Sequence, residues 1–319
     1  MKAVTASPVT KERSRANRFW ATFIRNKYLY MMSLPFIAWV FVFSYYPLWG
    51  WLMAFQKFKP NGTPILQQKW VGLEQFRTMF HDDMFYQALR NTLAMSIMGL
   101  VSGFIVAVGF ALLLNELKNI AFKRVVQTIS YLPHFVSWTV ATSIITRMLS
   151  SDNGVVNDIL LGLGFIQEPI QFMGKGHLFW GIVTVSDLWK ETGWSAIIYL
   201  AAISGIAPDL YEAAKVDGAG RLRQMWHVTL PGIRSTIVVL LVLSIGHLVN
   251  NGFEKQFLLG NNLVLDYSQV LDLYSLKYGL EMSRYSFGTA VNMFNSVVSL
   301  ILLFVANGLS KRFTKESVI

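Results

Sequence analysis

Three charged residues, Asp187, Lys190 and Glu191, lie within a stretch that is otherwise apolar. Two carboxylates could act as an acid and a base, but on a helix Asp187 and Glu191 share one face at i and i+4, with Lys190 close enough to neutralise them partly. Trp189 and Trp194 flank the charges, and hydrogen-bonding groups beside aromatic faces suit a sugar. A network of salt bridges that holds helices together, or an anchor at a membrane interface, explains the same residues, so these interpretations stay open.

A second polar group consists of His247, Asn250 and Asn251, with Glu254 shortly after them. Such residues could line an aqueous cavity, although each could equally satisfy a neighbouring helix. His247 alone is weak evidence, because an isolated histidine is often a structural hydrogen-bonding group. Arg147 has the length to extend its charge towards a surface. A polyanionic sugar would need basic groups of this kind along its route.

Enzymatic chemistry finds little support in the sequence. It contains no HExxH helix, no nucleophile elbow, no G-x-x-x-x-G-K-[ST] phosphate loop and no cysteine. The pair Asp187 and Glu191 is the one arrangement of carboxylates that could act together. We therefore expect no catalytic residue, no metal site and no cofactor in this chain, and any nucleotide must be bound by another subunit.

The segment 208–231 carries local signals for two helices joined by a turn. Pro208 suits a first helical position, and Asp209 and Glu212 favour the positive end of a helix. Ala213 and Ala214 are strong helix formers whose small side chains let another backbone approach.

The turn in this segment is marked by Asp217 and Gly218, because glycine tolerates positive φ and aspartate can cap the next helix. Pro231 closes the segment. The second helix has an apolar face formed by Leu222, Met225 and Trp226.

The elements that position these residues are apolar stretches of membrane-spanning length. With 53% hydrophobic and 14% charged residues, the 319-residue chain is too apolar for an ordinary soluble domain. Its net charge of +10 reflects basic residues that flank the apolar runs, with no aromatic-laced stripe for nucleic acid. A helix crosses the hydrocarbon with about 20 residues, and six stretches approach that length. They are predicted at residues 28–55, 92–114, 125–149, 178–204, 233–250 and 287–309.

Two details of these predicted spans matter for packing. Pro35, Pro47 and Pro133 fall within or near them, where we expect kinks rather than breaks. Gly99 and Gly103 form a step that permits close helix contact.

Basic residues predict the orientation, because loops rich in Lys and Arg stay in the cytoplasm. They cluster in four segments. These are the N-terminal tail, one loop with Lys118, Lys123 and Arg124, a second loop with Lys215, Arg221, Arg223 and Arg234, and the C-terminal tail with Lys311, Arg312 and Lys315. Both termini are therefore expected in the cytoplasm. Phe19, Trp20, Phe23 and Ile24 predict a short helix along the inner interface, and residues 73–80 predict another on the outer face.

The segment 208–231 resembles the EAA loop of the permeases of ATP-binding-cassette importers, whose pattern is EAA, three residues, Gly, nine residues, Ile, any residue, Leu-Pro. Glu212-Ala213-Ala214, Gly218, Val228 and Leu230-Pro231 reproduce the spacing, with valine in place of isoleucine. The resemblance implies that this loop, with Asp217 in its turn, docks in a groove of the cytoplasmic ATPase. It also implies an all-α polytopic fold of about six transmembrane helices, the type I importer permease fold.

Further matches favour the oligosaccharide and polysaccharide branch, which includes LplB-type and alginate permeases. They are Arg25 to Tyr30, Tyr46-Pro47, Phe55 to Pro60, Trp70 to Leu73, and Asn91 to Leu93. The implied organisation is a cytoplasmic basic tail with an interfacial helix at 1–27, a transmembrane permease domain at 28–309 with a coupling loop at 205–232, and a cytoplasmic tail at 310–319.

The implied assembly lies in the cell membrane. It contains a second related permease, two ATPase subunits that bind ATP and Mg²⁺, and an extracellular or periplasmic solute-binding protein. Two alternatives stay open at this point. The solute could be an amino acid, peptide or inorganic ion, because coupling loops are shared among importers. An ion gradient could drive a secondary transporter, although this predicts internal topology repeats and discontinuous helices, which we do not find in the sequence.

Overall fold

The computed structural model describes residues 24–250 and 252–314. Phe19, Trp20 and Phe23 of the predicted interfacial helix lie outside the described residues, as does Asn251. The chain forms two compact units, Met1–Leu52 and Met53–Ile319. Apart from one isolated antiparallel bridge between Gln56 and Trp70, the regular structure of the described residues is helical.

The helices, numbered in chain order, are α1 (Lys27–Phe55), α2 (Glu74–Phe80), α3 (Asp83–Glu116), α4 (Ile120–Tyr131), α5 (Trp138–Met148), α6 (Val155–Gly162), α7 (Gly176–Ser204), α8 (Pro208–Val216), α9 (Arg221–Gly232), α10 (Arg234–Gly246), α11 (Glu254–Leu259), α12 (Leu265–Ser268), α13 (Leu271–Leu276) and α14 (Tyr285–Thr314). By length and composition, α1, α3 and α14 can cross a membrane. The two bent pairs α7 with α8, and α9 with α10, raise the number to five.

Helix α1 agrees closely with the predicted first span. It continues past Pro35 and passes through a π-helical turn at Phe41–Tyr45 into a 3₁₀ segment at Tyr46–Phe55. Its large apolar side chains are mostly exposed. Such an apolar surface suits contact with lipid or with other helices.

The centre of the second unit is the pair α3 and α7, which pack against each other. Asp82 caps α3 by accepting a hydrogen bond from the Met84 amide at 3.0 Å. Where the two helices meet near their last turns, the core contains the small residues Ala107, Ala111 and Ala196. Small side chains allow helix backbones to approach closely, and this fixes α7, which carries most of the predicted polar residues.

The third predicted span differs from the structure, which breaks it into two half-helices. Helix α4 ends at Tyr131, a 3₁₀ turn covers Leu132–Phe135, and α5 starts at Trp138. Pro133 lies in the turn, and the Ser137 side chain caps α5 by accepting from Val140 N at 3.4 Å. A proline followed by a capping serine favours a break rather than a kink. The break exposes backbone carbonyls inside the bundle.

The fifth predicted span is also shorter as a helix, because α10 ends at Gly246. It is followed by the short helices α11 to α13, and α14 then runs back along α10. Tyr274 of α13 is buried and donates a 2.6 Å hydrogen bond to Asp82 Oδ2. Burial and the Asp82 carboxylate raise the pKa of the Tyr274 hydroxyl, so it stays protonated and keeps this bond. The bond fastens the short helices to the start of α3.

Candidate functional site

The segment 208–231 forms a helical elbow. Helix α8 leaves α7 at an angle of 74°, and α9 meets α10 at 59°. Gly218 has φ of +73° in the turn, and the Ala219 amide donates to the Ala214 carbonyl at 2.8 Å, which closes α8. The predicted turn at Asp217 and Gly218 is therefore confirmed, whereas the prediction that Asp217 caps the next helix is wrong, because the N-cap of α9 is Gly220, with no side-chain hydrogen bond at the cap.

Side chains of the elbow hold its two helices together. The Tyr211 hydroxyl and Thr229 Oγ1 lie 3.0 Å apart in a hydrogen bond, and Thr229 is buried. Gln224 Nε2 donates to the Ala219 carbonyl at 2.7 Å. The first bond joins α8 to α9, and the second joins α9 to the turn.

The elbow presents an unusual amount of apolar surface beside its charged residues. The exposed fractions are 54% for Leu210, 88% for Val216, 70% for Leu222 and 66% for Trp226. Among the residues predicted to couple to an ATPase, the exposed ones are Glu212, Ala213, Asp217, Gly218 and Pro231, whereas Ala214 and Leu230 are half-buried. Large apolar side chains exposed beside charged residues are typical of a protein interface.

The base of the elbow is joined to the helical bundle at several points. A side chain at Gly232 would begin 2.6 Å from Ile206 Cδ1, so glycine allows the two ends of the elbow to meet. Ile233 is buried against the core of α3 and α7. Arg221 Nε lies 3.9 Å from the Glu116 carboxylate at the end of α3. The elbow is therefore in contact with residues at the ends of α3 and α7 that are predicted to face the cytoplasm, and at the start of α10.

Inside the bundle, Lys190 supplies a hydrogen-bond donor to the backbone at the break between α4 and α5. Its side chain is only 6% exposed, and Nζ donates to the His134 carbonyl at 2.7 Å. Glu191 Oε1 lies 3.3 Å from the same nitrogen, and the Trp138 ring centre 5.5 Å away. A cation at the end of a helix segment compensates the partial negative charge of its free carbonyls.

His134 joins Lys190 and Glu191 into one cluster. His134 Nδ1 lies 2.7 Å from Glu191 Oε2, and its ring stacks on Trp194 with 4.4 Å between centres and 1° between planes. Gly193 brings α7 against this region, because a side chain there would overlap the Ser130 carbonyl. The stacked rings present an aromatic face beside hydrogen-bonding groups.

A second ion pair extends the cluster. Lys255 of α11 donates to Asp187 Oδ2 at 2.6 Å, and its Nζ lies 5.8 Å from the centre of the same Trp138 ring that Lys190 faces. The two lysines balance the two carboxylates, so the cluster carries no net charge when His134 is neutral. Because each charge has a partner, the cluster is tolerable in an apolar bundle.

A cavity of about 450 Å³ lies beside the cluster, between α3, α7 and α10. Asp187, Glu191 and His247 contribute charged or titratable side chains to its wall. Its other polar lining residues are Ser96, Thr184, Thr192, Ser195, Tyr199 and Ser244. Gly99 and Gly103 of α3 have open space where a side chain would lie, and this widens the cavity on the α3 side. A cavity with hydroxyl and carboxylate groups can bind a polar solute inside an apolar bundle.

Residues 99–315 match the model of the family described as "Binding-protein-dependent transport system inner membrane component". The chain belongs to this family. It is thus a membrane component of a transport system rather than an enzyme, and the predicted importer permease fold is confirmed.

Named relatives agree with the family. The chain is 41% identical over 317 residues to the "Polygalacturonan/rhamnogalacturonan transport system permease protein YteP" of Bacillus subtilis (strain 168), covering 99% of this chain and 98% of the relative. It is 41% identical over 292 residues to Protein LplB of the same organism, covering 92% and 91%.

Solved structures show the same fold. A bacterial ABC transporter involved in the import of the acidic polysaccharide alginate has a chain that is 38% identical, with a TM-score of 0.86 over 93% of this permease and 99% of that chain. The alginate transporter in complex with an alginate pentasaccharide-bound periplasmic protein gives a TM-score of 0.87, again with 38% identity, over 94% and 100%.

The structure places the predicted path residues of the permease differently. Asp187, Glu191 and His247 line the cavity, whereas Lys190 faces the break in the third span. Trp194 stacks on His134 outside the cavity wall. Asn250 is exposed but does not line the cavity, and Asn251 lies outside the described residues.

Sequence reasoning missed His134, Lys255 and Trp138. The signal for His134 was a polar residue directly after Pro133 within an apolar run. Lys255 follows Glu254 in a segment whose return into the bundle the sequence did not reveal. Their roles depend on contacts with α7 across 56 to 68 residues of sequence.

Proposed function

We propose that this permease is one of two related membrane subunits of an ATP-driven importer that takes up an acidic oligosaccharide. The exposed apolar elbow at the end of a rigid helical connection carries the proposal. Two cytoplasmic ATPase subunits bind ATP and Mg²⁺, and a solute-binding protein delivers the solute from outside. The elbow and both termini face the cytoplasm.

The elbow is the docking element for one ATPase subunit. Leu210, Val216, Leu222 and Trp226 supply apolar contact area, with Glu212 and Asp217 at its rim. Apolar anchors inside a polar rim are the usual form of a specific protein interface. The Tyr211 to Thr229 bond and the buried Ile233 pass movement of the ATPase into α3, α7 and α10.

The cavity is this subunit's part of the solute path. Asp187, Glu191 and His247 offer hydrogen-bonding groups to sugar hydroxyls. Lys190 and Lys255 keep the carboxylates compensated, and Trp194 supports His134. The printed names of the relatives, which refer to polygalacturonan, rhamnogalacturonan and alginate, support an acidic sugar chain as the solute.

Coupling is tested with the assembled importer in proteoliposomes. Glu212→Ala and Val216→Asp should abolish most stimulation of ATP hydrolysis by the loaded binding protein, while the permease still inserts and folds. Glu74→Ala, an exposed glutamate of α2, is the matched control and should behave as wild type. Normal stimulation in both elbow variants, or uptake driven by an ion gradient without ATP, would reject the proposal.

Sidedness is tested by labelling, which the absence of native cysteine makes simple. Val216→Cys and Phe165→Cys are 88% and 75% exposed positions, on the elbow and in the loop after α6. An impermeant maleimide applied outside intact cells should label position 165 and spare position 216. The reverse pattern would place the elbow outside and exclude an ATPase partner.

A further inference from the structure

A second polar pocket lies at the end of the bundle far from the elbow. Its lining is Tyr86, Gln87, Arg90, Asp266 and Tyr267, and its volume is about 460 Å³. Arg90 precedes Glu116, which contacts the elbow, by 26 residues of the continuous helix α3, or about 39 Å at 1.5 Å per residue. A pocket of this size is in the range of small-molecule sites.

Arg90 is held in a fixed position in this pocket. Its Nη2 donates to the Asp266 carbonyl at 2.9 Å and to Asn91 Oδ1 at 3.3 Å. Its guanidinium carbon lies 5.7 Å from the Trp180 ring centre and 5.4 Å from that of Tyr267. Both bonds use Nη2, so within the described part of the chain Nε and Nη1 make no hydrogen bond. These two nitrogens lie on different edges of the guanidinium, so a carboxylate oxygen would accept from one of them, in a bond that the positive charge strengthens.

The groups around Arg90 are also preorganised. Gln87 Nε2 donates to Asp266 Oδ1 at 2.9 Å, and Trp180 Nε1 donates to the Tyr267 carbonyl at 3.1 Å. The Tyr267 ring occupies the space that a side chain at Gly176 would take. Asp266 is exposed and can accept from sugar hydroxyls, while the half-exposed ring of Tyr86 offers a stacking face.

One face of α7 connects this pocket with the central cavity. Trp180, Thr184, Asp187 and Glu191 are spaced at i, i+4, i+7 and i+11, so they lie on one side of the helix. Trp180 contacts Arg90 at one end, and the other three line the cavity. Thr184 is buried between the two regions. The Arg90 pocket and the central cavity therefore lie along the same side of α7.

We propose that the Arg90 pocket is an outer subsite that binds one uronic-acid residue of the incoming oligosaccharide, before the chain reaches the central cavity. A free N–H of Arg90 donates to the carboxylate, Asp266 accepts from ring hydroxyls, and Tyr86 packs on the sugar face. This inference rests on the proposed function for its ligand class. It places the selection for a carboxylate-bearing sugar at the Arg90 pocket, which the solute reaches before the central cavity.

The test measures binding of trigalacturonate to the assembled importer without its binding protein, by saturation-transfer difference NMR. Arg90→Ala should weaken binding at least tenfold and Arg90→Lys by a smaller factor, because lysine keeps the positive charge and a donor but loses the hydrogen bonds through which Arg90 Nη2 is held in place. Arg77→Ala is the matched control, since Arg77 is an exposed arginine of α2 outside this pocket. The carboxyl-reduced trisaccharide should bind weakly to wild type and should not respond to Arg90→Ala.

Less than a twofold change in both Arg90 variants, or no binding of trigalacturonate by wild type, would overturn the subsite. An equal loss for the acidic and reduced sugars would overturn the carboxylate contact. A loss confined to co-sedimentation of the binding protein with the vesicles would assign Arg90 to protein docking instead. The thermal midpoint of Arg90→Lys should equal that of wild type, which shows that its weaker binding does not come from unfolding. ATP-driven uptake and elbow coupling are measured separately, so the proposed function can survive failure of the subsite.

Discussion

The elbow and the charged cluster are built in opposite ways. In the elbow, the Tyr211 to Thr229 bond joins residues 18 apart, and the turn at Gly218 is closed by bonds between near neighbours. In the cluster, the bonds of His134, Lys190 and Lys255 join residues 56 to 68 apart. The elbow has exposed apolar side chains that a partner protein could cover, whereas Lys190 is buried and its ammonium group is paired inside the bundle. Changes in the cluster should therefore reduce stability, and changes in the elbow should mainly reduce coupling.

The largest stability loss is expected for Lys190→Met. The substitution leaves the His134 carbonyl unpaired and Glu191 without its cation inside the bundle. Removing one partner of a fully buried ion pair costs about 3–5 kcal/mol, and the 39% exposure of the Glu191 side chain places the expected loss at the lower end of that range. The thermal midpoint in detergent should fall sharply, and the yield of folded permease should drop.

The double variant Lys190→Met/Glu191→Gln is the control for this prediction. Because it removes both charges, it should recover part of the lost stability. If Lys190→Met alone unfolds no more readily than wild type, the cluster is not a structural element, and its contrast with the elbow disappears.

Gly193→Ala should produce the next largest loss. The added methyl group would overlap the Ser130 carbonyl, and backbone cannot move aside as a flexible side chain can. Overpacking of this kind costs about 1–3 kcal/mol. Gly103→Ala on α3 is the matched control, because open space surrounds that position. Equal thermal midpoints for the two variants would contradict the packing between α7 and α4.

The contrast between short-range bonds in the elbow and long-range bonds in the cluster also explains which features the sequence could predict. The helical elbow, its turn at Gly218 and its exposed apolar face follow from short-range signals such as Pro208, Ala213 and Ala214. Asp187 and Glu191 were predicted because a charge in an apolar run is rare. Their partners were not, since Lys255 and His134 reach α7 only through tertiary packing.

The broken third span was the main difference in the fold. Pro133 was recognised, but a kinked continuous helix was expected. The outcome depended on Ser137 as a cap and on Lys190, which supplies a donor to the His134 carbonyl from another helix. A neighbouring donor of this kind cannot be identified from the local sequence, because it depends on how α7 packs.

Gly218→Ala tests the elbow. A residue with a side chain at φ of +73° costs about 1–2 kcal/mol. The turn should distort, so stimulated ATP hydrolysis should fall several-fold while the thermal midpoint of the bundle changes little. Gly62→Ala, at φ of +81° in the loop before α2, carries the same backbone cost far from the elbow in sequence and should leave ATP hydrolysis unchanged. A similar fall in both variants would show that general strain, and not the elbow, is responsible.

Tyr211→Phe should have the smallest effect and the most specific one. It removes only the hydroxyl that bonds to Thr229, and a hydrogen bond of this kind contributes about 0.5–1.5 kcal/mol. Because the bond joins α8 to α9, its loss should loosen the elbow and reduce coupling modestly, with little change in the amount of ATPase bound. Thr229→Ser keeps the hydroxyl and should preserve the bond, whereas Thr229→Val should resemble Tyr211→Phe. In a double-mutant cycle, Tyr211→Phe/Thr229→Val should lower stimulated ATP hydrolysis no further than either single change, since the two remove one interaction. Additive losses would mean that the two residues act separately and that rigidity of the elbow has another source.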